Sequence, residues 1–328
     1  MKRLILTSSS GSELDKSGLA ELVILFVFGF HWGPLPPPEK LAAYFAARSA
    51  VQGRGEHWSD WGSRWPPDAR DRKQLSFADF CEPYDTIELW FDSNPADQLQ
   101  LIWLLDFLSS CPKLTQKLKL RLLGPDLLTA QSEGLAKSAA HIPIVTVTAK
   151  EFETATVAWQ AYRAPTPEAC CNLVHKDLSK LPMLRPALLD LLAELPSPMT
   201  GLGATEMRFL ELLSWGFANT NALFHLRSLR RTFVFGEFQL GSLLEGIALG
   251  PRPAVAGLGD ELRTIDRHNL RARHEFYLRS RLSLTEFGKA VLAHQEDFSR
   301  HNPIDRWWGG THLTNDQLWR YGAVLSKP

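Results

Sequence analysis

The chain has 328 residues, 45% hydrophobic and 22% charged, which reads as an ordinary soluble globular protein with a core large enough for two domains. Lys and Arg together number 36, as do Asp and Glu, so no global field draws it to nucleic acid or to an anionic membrane. Cys81, Cys111, Cys170 and Cys171 have no CxxC spacing and read as free thiols of a reducing compartment, so a cytoplasmic location is expected.

Arg3–Thr7 is predicted as a first strand, followed by the Ser/Gly segment Ser8–Ser12 and a brief helix at Glu13–Ser17. Leu19–Phe30 (LAELVILFVFGF) is the one candidate membrane segment. It contains Glu21 and falls well short of the ~18 apolar residues that a span requires. No small-residue cleavage site follows it. A strand at Leu22–Phe28, covered on both faces of a parallel sheet, accounts for it better. Gly33-Pro34 and Pro36-Pro37-Pro38 break the chain before a helix at Glu39–Val51.

Gln52–Pro83, rich in Gly, Trp, Arg and Pro, predicts a long loop with at most one short helix. Trp58, Trp61 and Trp65 argue against simple disorder there. Thr86–Phe91 then forms a buried strand that ends in Asp92. Asn94-Pro95 opens a helix to Ser109, with Asn94 as N-cap and Pro95 at the first helical position. Lys117–Leu123 alternates as an edge strand, and Ile142–Thr148 reads as a strand or an extended lead-in. Four or five strands with helical crossovers give an α/β class, a doubly wound, mostly parallel, Rossmann-like domain over residues 1–148.

After Thr148 the pattern turns helical. Thr148 with Glu151 forms a capping box before Phe152–Tyr162, and Thr166-Pro167 starts Glu168–His175. Leu181–Leu195 completes a helical connector over 149–198. From Gly201 three helices are expected at Thr205–Trp215, Asn221–Arg231 and Leu240–Leu249. An alternating strand at Phe276–Leu284, a helix at Thr285–His294 and a Trp-rich hairpin follow. This order predicts a helical, winged-helix-like α+β half over 199–328.

Five segments carry a family resemblance: Glu88–Leu108, Ala158–Ala169 (AWQAYRAPTPEA), Leu181–Ser197, Gly201–Gly216 (GLGATEMRFLELLSWG) and Ile304–Leu313 (IDRWWGGTHL). Together they resemble the domain of unknown function eighteen thirty-five, an uncharacterised bacterial family, over most of the chain. The resemblance implies no defined activity. The chain departs from the family pattern after the first strand, where Ser8-Ser9-Ser10-Gly11 replaces a Gly-Asp-Ser-like turn. It departs again at Asp92-Ser93-Asn94, where members carry more acidic or histidine residues.

The chemistry is concentrated at one place. Open α/β sheets bind ligands beyond the carboxyl ends of their strands, so Ser8, Ser9, Ser10, Asp92, Asn94 and Asp97 are the candidate ligand-binding residues. Capping of the helix that follows accounts more simply for Asn94 and Asp97, and an ordinary polar turn for Ser8–Ser12. Asp92, Arg306 and His312 are the catalytic candidates for a hydrolase or transferase. No nucleotide fingerprint, metal-ligand spacing or nucleophile elbow occurs, so no cofactor or metal is expected.

Arg271, Arg273, Arg279 and Arg281, with Arg227, Arg230 and Arg231, give a basic region that could meet DNA. The third predicted helix carries no Lys or Arg, which weakens that reading. Eleven tryptophans would line a stacking groove or seal packed elements, and sealing is the simpler account. The leading expectation is a regulatory protein that binds a small ligand near Asp92. Its C-terminal half would meet a protein or DNA partner, and no membrane is involved.

Overall fold

The computed structural model describes residues 2–8, 11–62, 64–123, 132–225, 234–266 and 269–328. The chain divides into two compact units. One comprises Met1–Phe30, Leu35–Arg163 and Leu173–Ala187; the other comprises His31–Pro34, Ala164–Asn172 and Leu188–Pro328.

The first unit is organised by a five-stranded sheet of β1 (Arg3–Thr7), β2 (Leu22–Leu25), β3 (Thr86–Phe91), β4 (Leu118–Leu122) and β5 (Ile144–Thr146), in the order β2-β1-β3-β4-β5. β1 runs parallel to β2 and β3, β3 runs parallel to β4, and β5 closes the sheet antiparallel to β4. The fold is thus mixed α/β on a mostly parallel sheet. β4 is interior, not the edge its alternation predicts. The polar residue in that alternation, Arg121, is buried because it pairs with a carboxylate inside the protein, so a polar position here does not mean a wet one.

β2, expected to run through Phe28, is the other edge of the sheet and ends at Leu25. The chain leaves the sheet with Val27 exposed, while Phe26, Phe28 and Phe30 enter an aromatic cluster with Trp103 and Trp159. The β2 edge is protected by an antiparallel bridge from Ile24 to Gly62. An exposed edge would offer unpaired backbone groups to another chain. A Cβ on Gly62 would lie 2.1 Å from the Trp65 ring, so glycine is needed where the two pack this closely.

That bridge belongs to Gln52–Pro83, which is more ordered than its composition predicts. Helical turns at Trp58–Trp61 and Asp71–Gln74 alternate with α3 (Pro67–Arg70) and α4 (Phe77–Cys81), which follow α1 (Gly11–Lys16) and α2 (Pro38–Phe45) in the chain. Trp58 is fully buried, donates to the Leu75 carbonyl at 3.1 Å and packs against Phe77 and Phe80. The tryptophan supplies the core that this non-periodic segment would otherwise lack.

Helices cover both faces of the sheet. Ile5, Val23 and Trp90 pack with Leu14 of α1 and with Leu135 and Ala139 of α7 (Ser132–Ala139). α5 (Pro95–Ser109) packs on β3 and on α8 (Ala149–Arg163), with α6 (Pro112–Thr115) after it. α5 is buried almost all round, as a helix between a sheet and a second helical layer must be. α8, expected in a separate connector, belongs to this unit. Between Arg163 and the next element run α9 (Glu168–Leu173) and α10 (Leu184–Ala193).

The second unit packs α11 (Ala204–Ser214) against α13 (Glu237–Ala248) and α15 (Glu286–Leu292), with α12 (Thr220–His225) against α14 (Leu270–Arg279). Two-residue strands β6 (Val255–Ala256) and β7 (Ser283–Leu284) pair antiparallel. The alternating strand expected from Phe276 is instead the end of α14, with strand only at Ser283–Leu284. Asn269 caps α14 by accepting from the Ala272 N–H at 3.1 Å. Buried Arg273 and Ser280 and half-buried Tyr277 follow helical spacing, although apolar residues also recur at every second position. The Trp-rich hairpin forms as expected from β8 (Asp305–Trp308) and β9 (Thr311–Thr314). Gly309 takes the left-handed turn, φ 54°. A short pair, β10 (Arg320–Tyr321) and β11 (Leu325–Ser326), ends the chain. Among the described residues no helix is long and apolar enough to cross a membrane.

On the α1/α7 face of the sheet, Glu88 is 2% exposed and accepts from Arg121 Nε and Trp90 Nε1, both at 2.9 Å. Arg3 Nε lies 3.3 Å away. Removing one member of a buried ion pair leaves the other uncompensated, at a cost of about 3–5 kcal/mol. Glu88→Ala should therefore lower the urea midpoint sharply. Glu88→Leu combined with Arg121→Met should recover much of that loss, which a double-mutant unfolding cycle measures.

Candidate functional site

Strand order reverses between β1 and β3, the point at which an open parallel sheet forms a crevice. The carboxyl ends of these two strands carry Ser8 and Asp92. Ser8, Asp92, Asn94 and Asp97, four of the six residues singled out as a ligand site, do converge here. Ser9 and Ser10 lie outside the described residues.

The bonds in this crevice run between its own members. Asn94 accepts from the Asp97 N–H at 3.0 Å and caps α5. Asp97 is 5% exposed and its Oδ2 accepts from the Asp92 N–H at 2.9 Å. Gln98 Nε2 donates to the Asp92 carbonyl at 2.6 Å. Asp92 Oδ1 accepts from the N–H and hydroxyl of Ser93. Burial raises the Asp97 carboxyl above its usual range, against hydrogen bonds from Ser8, the Asp92 backbone and Asn94 that hold it down. The side chains whose type suggested chemistry are those that close the turn from β3 into α5.

The second unit holds a concave site. A pocket of about 910 Å³ opens between α13, α14 and the start of β8, within the volume range of small-molecule sites, roughly 300–1,000 Å³. Its walls mix apolar side chains, Trp32, Phe224, Phe238 and Phe298 among them, with polar and charged ones. Glu245 of α13 lies in the wall and receives Arg273 and the Tyr277 hydroxyl from α14. Arg273 Nη1 also donates to the carbonyls of Leu262 and Ile265, at 3.3 and 3.0 Å. Burial works against the Arg273 charge, yet the Glu245 bond prevails and raises its pKa. Burial, then the Glu245 carboxylate, pushes the Tyr277 hydroxyl upward, so it stays a donor.

The pocket also contains Arg306, whose Nη1 lies 2.9 Å from Glu206 Oε2 and whose Nη2 donates to the Glu194 carbonyl at 3.4 Å. His312, grouped with Arg306 as a catalytic candidate, faces the other way. The hairpin register sets His312 opposite Trp307, its ring stacks on that tryptophan with centroids 4.6 Å apart, and its Nε2 contacts Asp305 Oδ1 at 2.7 Å. Successive strand residues alternate in face, so Arg306 and His312 lie on opposite sides of the hairpin. Asp92 belongs to the other unit.

Among the basic candidates, Arg271, Arg279 and Arg281 are exposed, whereas Arg273 is 6% exposed and committed to Glu245. Arg273 therefore does not present a charge to DNA phosphate. Arg227, Arg230 and Arg231 lie outside the described residues. The Glu245–Arg273–Tyr277 set was not recognisable as a site while residues 276–284 read as a strand. The i, i+4 spacing of Arg273 and Tyr277 was the available signal. Among the described residues no group of three or more His, Cys, Asp or Glu side chains is arranged to hold a metal ion.

Beside Trp32, which lines the pocket, His31 is buried against Phe235. Among the described residues neither of its ring nitrogens has a partner. Burial lowers its pKa from 6.5 to about 4.

Two outcomes follow. Asp97→Asn keeps an acceptor for the Asp92 N–H and should leave stability within about 1 kcal/mol, whereas Asp97→Ala orphans that N–H and should cost about 1–3 kcal/mol by urea unfolding. For His31, the unfolded chain takes up a proton near pH 6.5 and the folded chain only near pH 4. Its contribution is intact above 6.5 and is lost as pH falls toward 4, by up to about 3 kcal/mol. His31→Phe should be neutral or stabilising at pH 7 and should flatten the acid-side decline measured by unfolding at pH 7, 5.5 and 4.5. No protein-family model matches the chain, and no curated protein matches it.

Proposed function

We propose that this chain is a cytoplasmic regulatory protein that binds a small organic ligand in the pocket of its second unit. The observation that carries this reading is the contrast between the two sites. The Asp92–Asp97 turn spends its acceptors on its own backbone and cap, while the second unit offers a 910 Å³ concavity lined by aromatic and aliphatic side chains together with fixed charged groups. Such a combination is the usual form of a small-molecule site.

The regulatory part rests on the element order around the pocket. α11, α12 and α13 are followed by the β6–β7 pair, and Asn219, between α11 and α12, bridges antiparallel to Arg281 just before β7. Three helices with a two-stranded pair and one isolated bridge beside it support a winged-helix-like reading, with α14 inserted between β6 and β7. Exposed Arg271, Arg279 and Arg281 would be available to a protein or DNA partner. Membership in the domain of unknown function eighteen thirty-five is part of this proposal and rests on the five sequence segments alone. A hydrolase or transferase reading has less support, because Asp92, Arg306 and His312 each hold a structural partner.

Gly246 supplies the test. It lies on α13, lines the pocket, and a Cβ built on it meets nothing within 4 Å. Gly246→Phe would place a ring in open space while gaining up to about 1 kcal/mol of helix propensity. In a thermal-shift screen against nucleotides, sugars, amines, carboxylic acids and phosphates, a ligand at 100 times its Kd should add about 2.7 kcal/mol of stability. The shift should vanish in Gly246→Phe and survive in Asp92→Ala. A shift lost in Asp92→Ala but kept in Gly246→Phe would return the site to the sheet edge.

A further inference from the structure

The pocket's charges are unequal in kind as well as in number. Its described lining carries four carboxylates, Glu206, Glu237, Glu245 and Asp305, and two guanidiniums, Arg273 and Arg306; Glu237 has an interaction of its own and Asp305 meets His312. Both guanidiniums are spent. Arg273 is held by Glu245 and by two backbone carbonyls, and Arg306 by Glu206 and the Glu194 carbonyl. Neither has the open fork with which arginine receives phosphate or carboxylate.

An acceptor remains open. The donors to Glu245, from Arg273 and Tyr277, both reach Oε1, and among the described residues Oε2 takes no hydrogen bond. Asp305, at the start of β8, is instead engaged by His312, whose Nε2 lies 2.7 Å from its Oδ1. The pocket walls include the rings of Trp32, Phe224 and Phe238, and aromatic faces attract cations as well as apolar groups.

Resting on the reading of this pocket as a ligand site, we propose that it takes a protonated amine on an apolar or aromatic body. The ammonium would be received at Glu245 Oε2 and the body would lie against Phe238 and its neighbours. A phosphate or a simple carboxylate would find no free guanidinium among the described lining residues. Glu245 thereby has two tasks on separate oxygens: Oε1 fastens α14 to α13, and Oε2 faces the ligand.

Matched probes test this by calorimetry on the full chain: tryptamine, 2-phenylethylamine and agmatine as amines, with tryptophol and indole-3-propionate as neutral and anionic counterparts of the first. The expected result is that tryptamine binds at least tenfold more tightly than tryptophol, with indole-3-propionate weakest. In Glu245→Gln that preference should collapse to within about threefold, and Gly246→Phe should remove all binding. If tryptophol or indole-3-propionate binds as well as tryptamine and is still blocked by Gly246→Phe, the pocket reading stands and the amine assignment falls. Silence of all three amines overturns the amine assignment too, leaving the pocket to be judged by the broader screen with Gly246→Phe. Should Glu245→Gln fail to fold, judged by circular dichroism, the ranking in the unsubstituted protein decides the matter by itself.

Discussion

The first unit depends on one buried carboxylate. Glu88 sits on the central strand β3, and its two oxygens gather Arg3 from β1, Trp90 from β3 and Arg121 from β4. The Arg121 guanidinium then lies over the Trp90 ring, 5.0 Å from its centroid, and donates to the Ala139 carbonyl at the end of α7. A charge taken out of water costs several kcal/mol unless geometry and hydrogen bonds compensate it. Here three strands and a helix terminus must be in register for that compensation to exist. A one-residue slip of β4 would turn Arg121 to the opposite face and leave Glu88 without its closest cation. The network adds specificity of register to a sheet whose leucines and isoleucines would tolerate alternatives.

The same economy governs the second unit. Glu245 joins α13 to α14 through Arg273 and Tyr277, and the close packing shows at Gly241, where an added Cβ would lie 2.7 Å from the Tyr277 hydroxyl. Glu206 accepts the Gly203 N–H at the start of α11 and also holds Arg306 of β8. Glu194 receives the backbone N–H and hydroxyl of Thr205 through its carboxylate, and Arg306 through its carbonyl. The charged groups of the pocket are thus tied to helix starts and neighbouring helices. Side chains ordered before a ligand arrives do not add their ordering entropy to the cost of binding.

The sequence made the sheet legible where local chemistry and tertiary structure agree. β1, β3 and α5 are found within a residue or two of where strand composition, the Asn94 cap and Pro95 set them. It misled where a tertiary partner inverts the usual meaning of a residue. Arg121 made β4 look like a wet edge because sequence alone does not reveal Glu88 beneath it. Trp58 gives order to a segment with no period of its own. Residues 276–284 carried two periods at once, and the Asn269 cap that decides for helix lies seven residues before Phe276. Arg273 passed for a free surface charge because its partner is 28 residues away in sequence.

The contrast between Asp97 and Glu245 draws these points together. Both are acidic, both lie on helices, and both accept hydrogen bonds. Asp97 sits at the first turn of α5, where its own orphan N–H is accepted by Asn94 and its carboxylate accepts the N–H of Asp92 in the turn that leads in. Glu245 sits past the middle of α13, where backbone N–H groups are already bonded within the helix, so its donors must come from other side chains. It receives them on one oxygen only. A carboxylate at a helix start is used up by folding, whereas one in the body of a helix can hold a neighbour and still have an oxygen to offer. That difference in position, more than any difference in residue type, is why the search for chemistry moves from the end of β3 to the wall of the pocket.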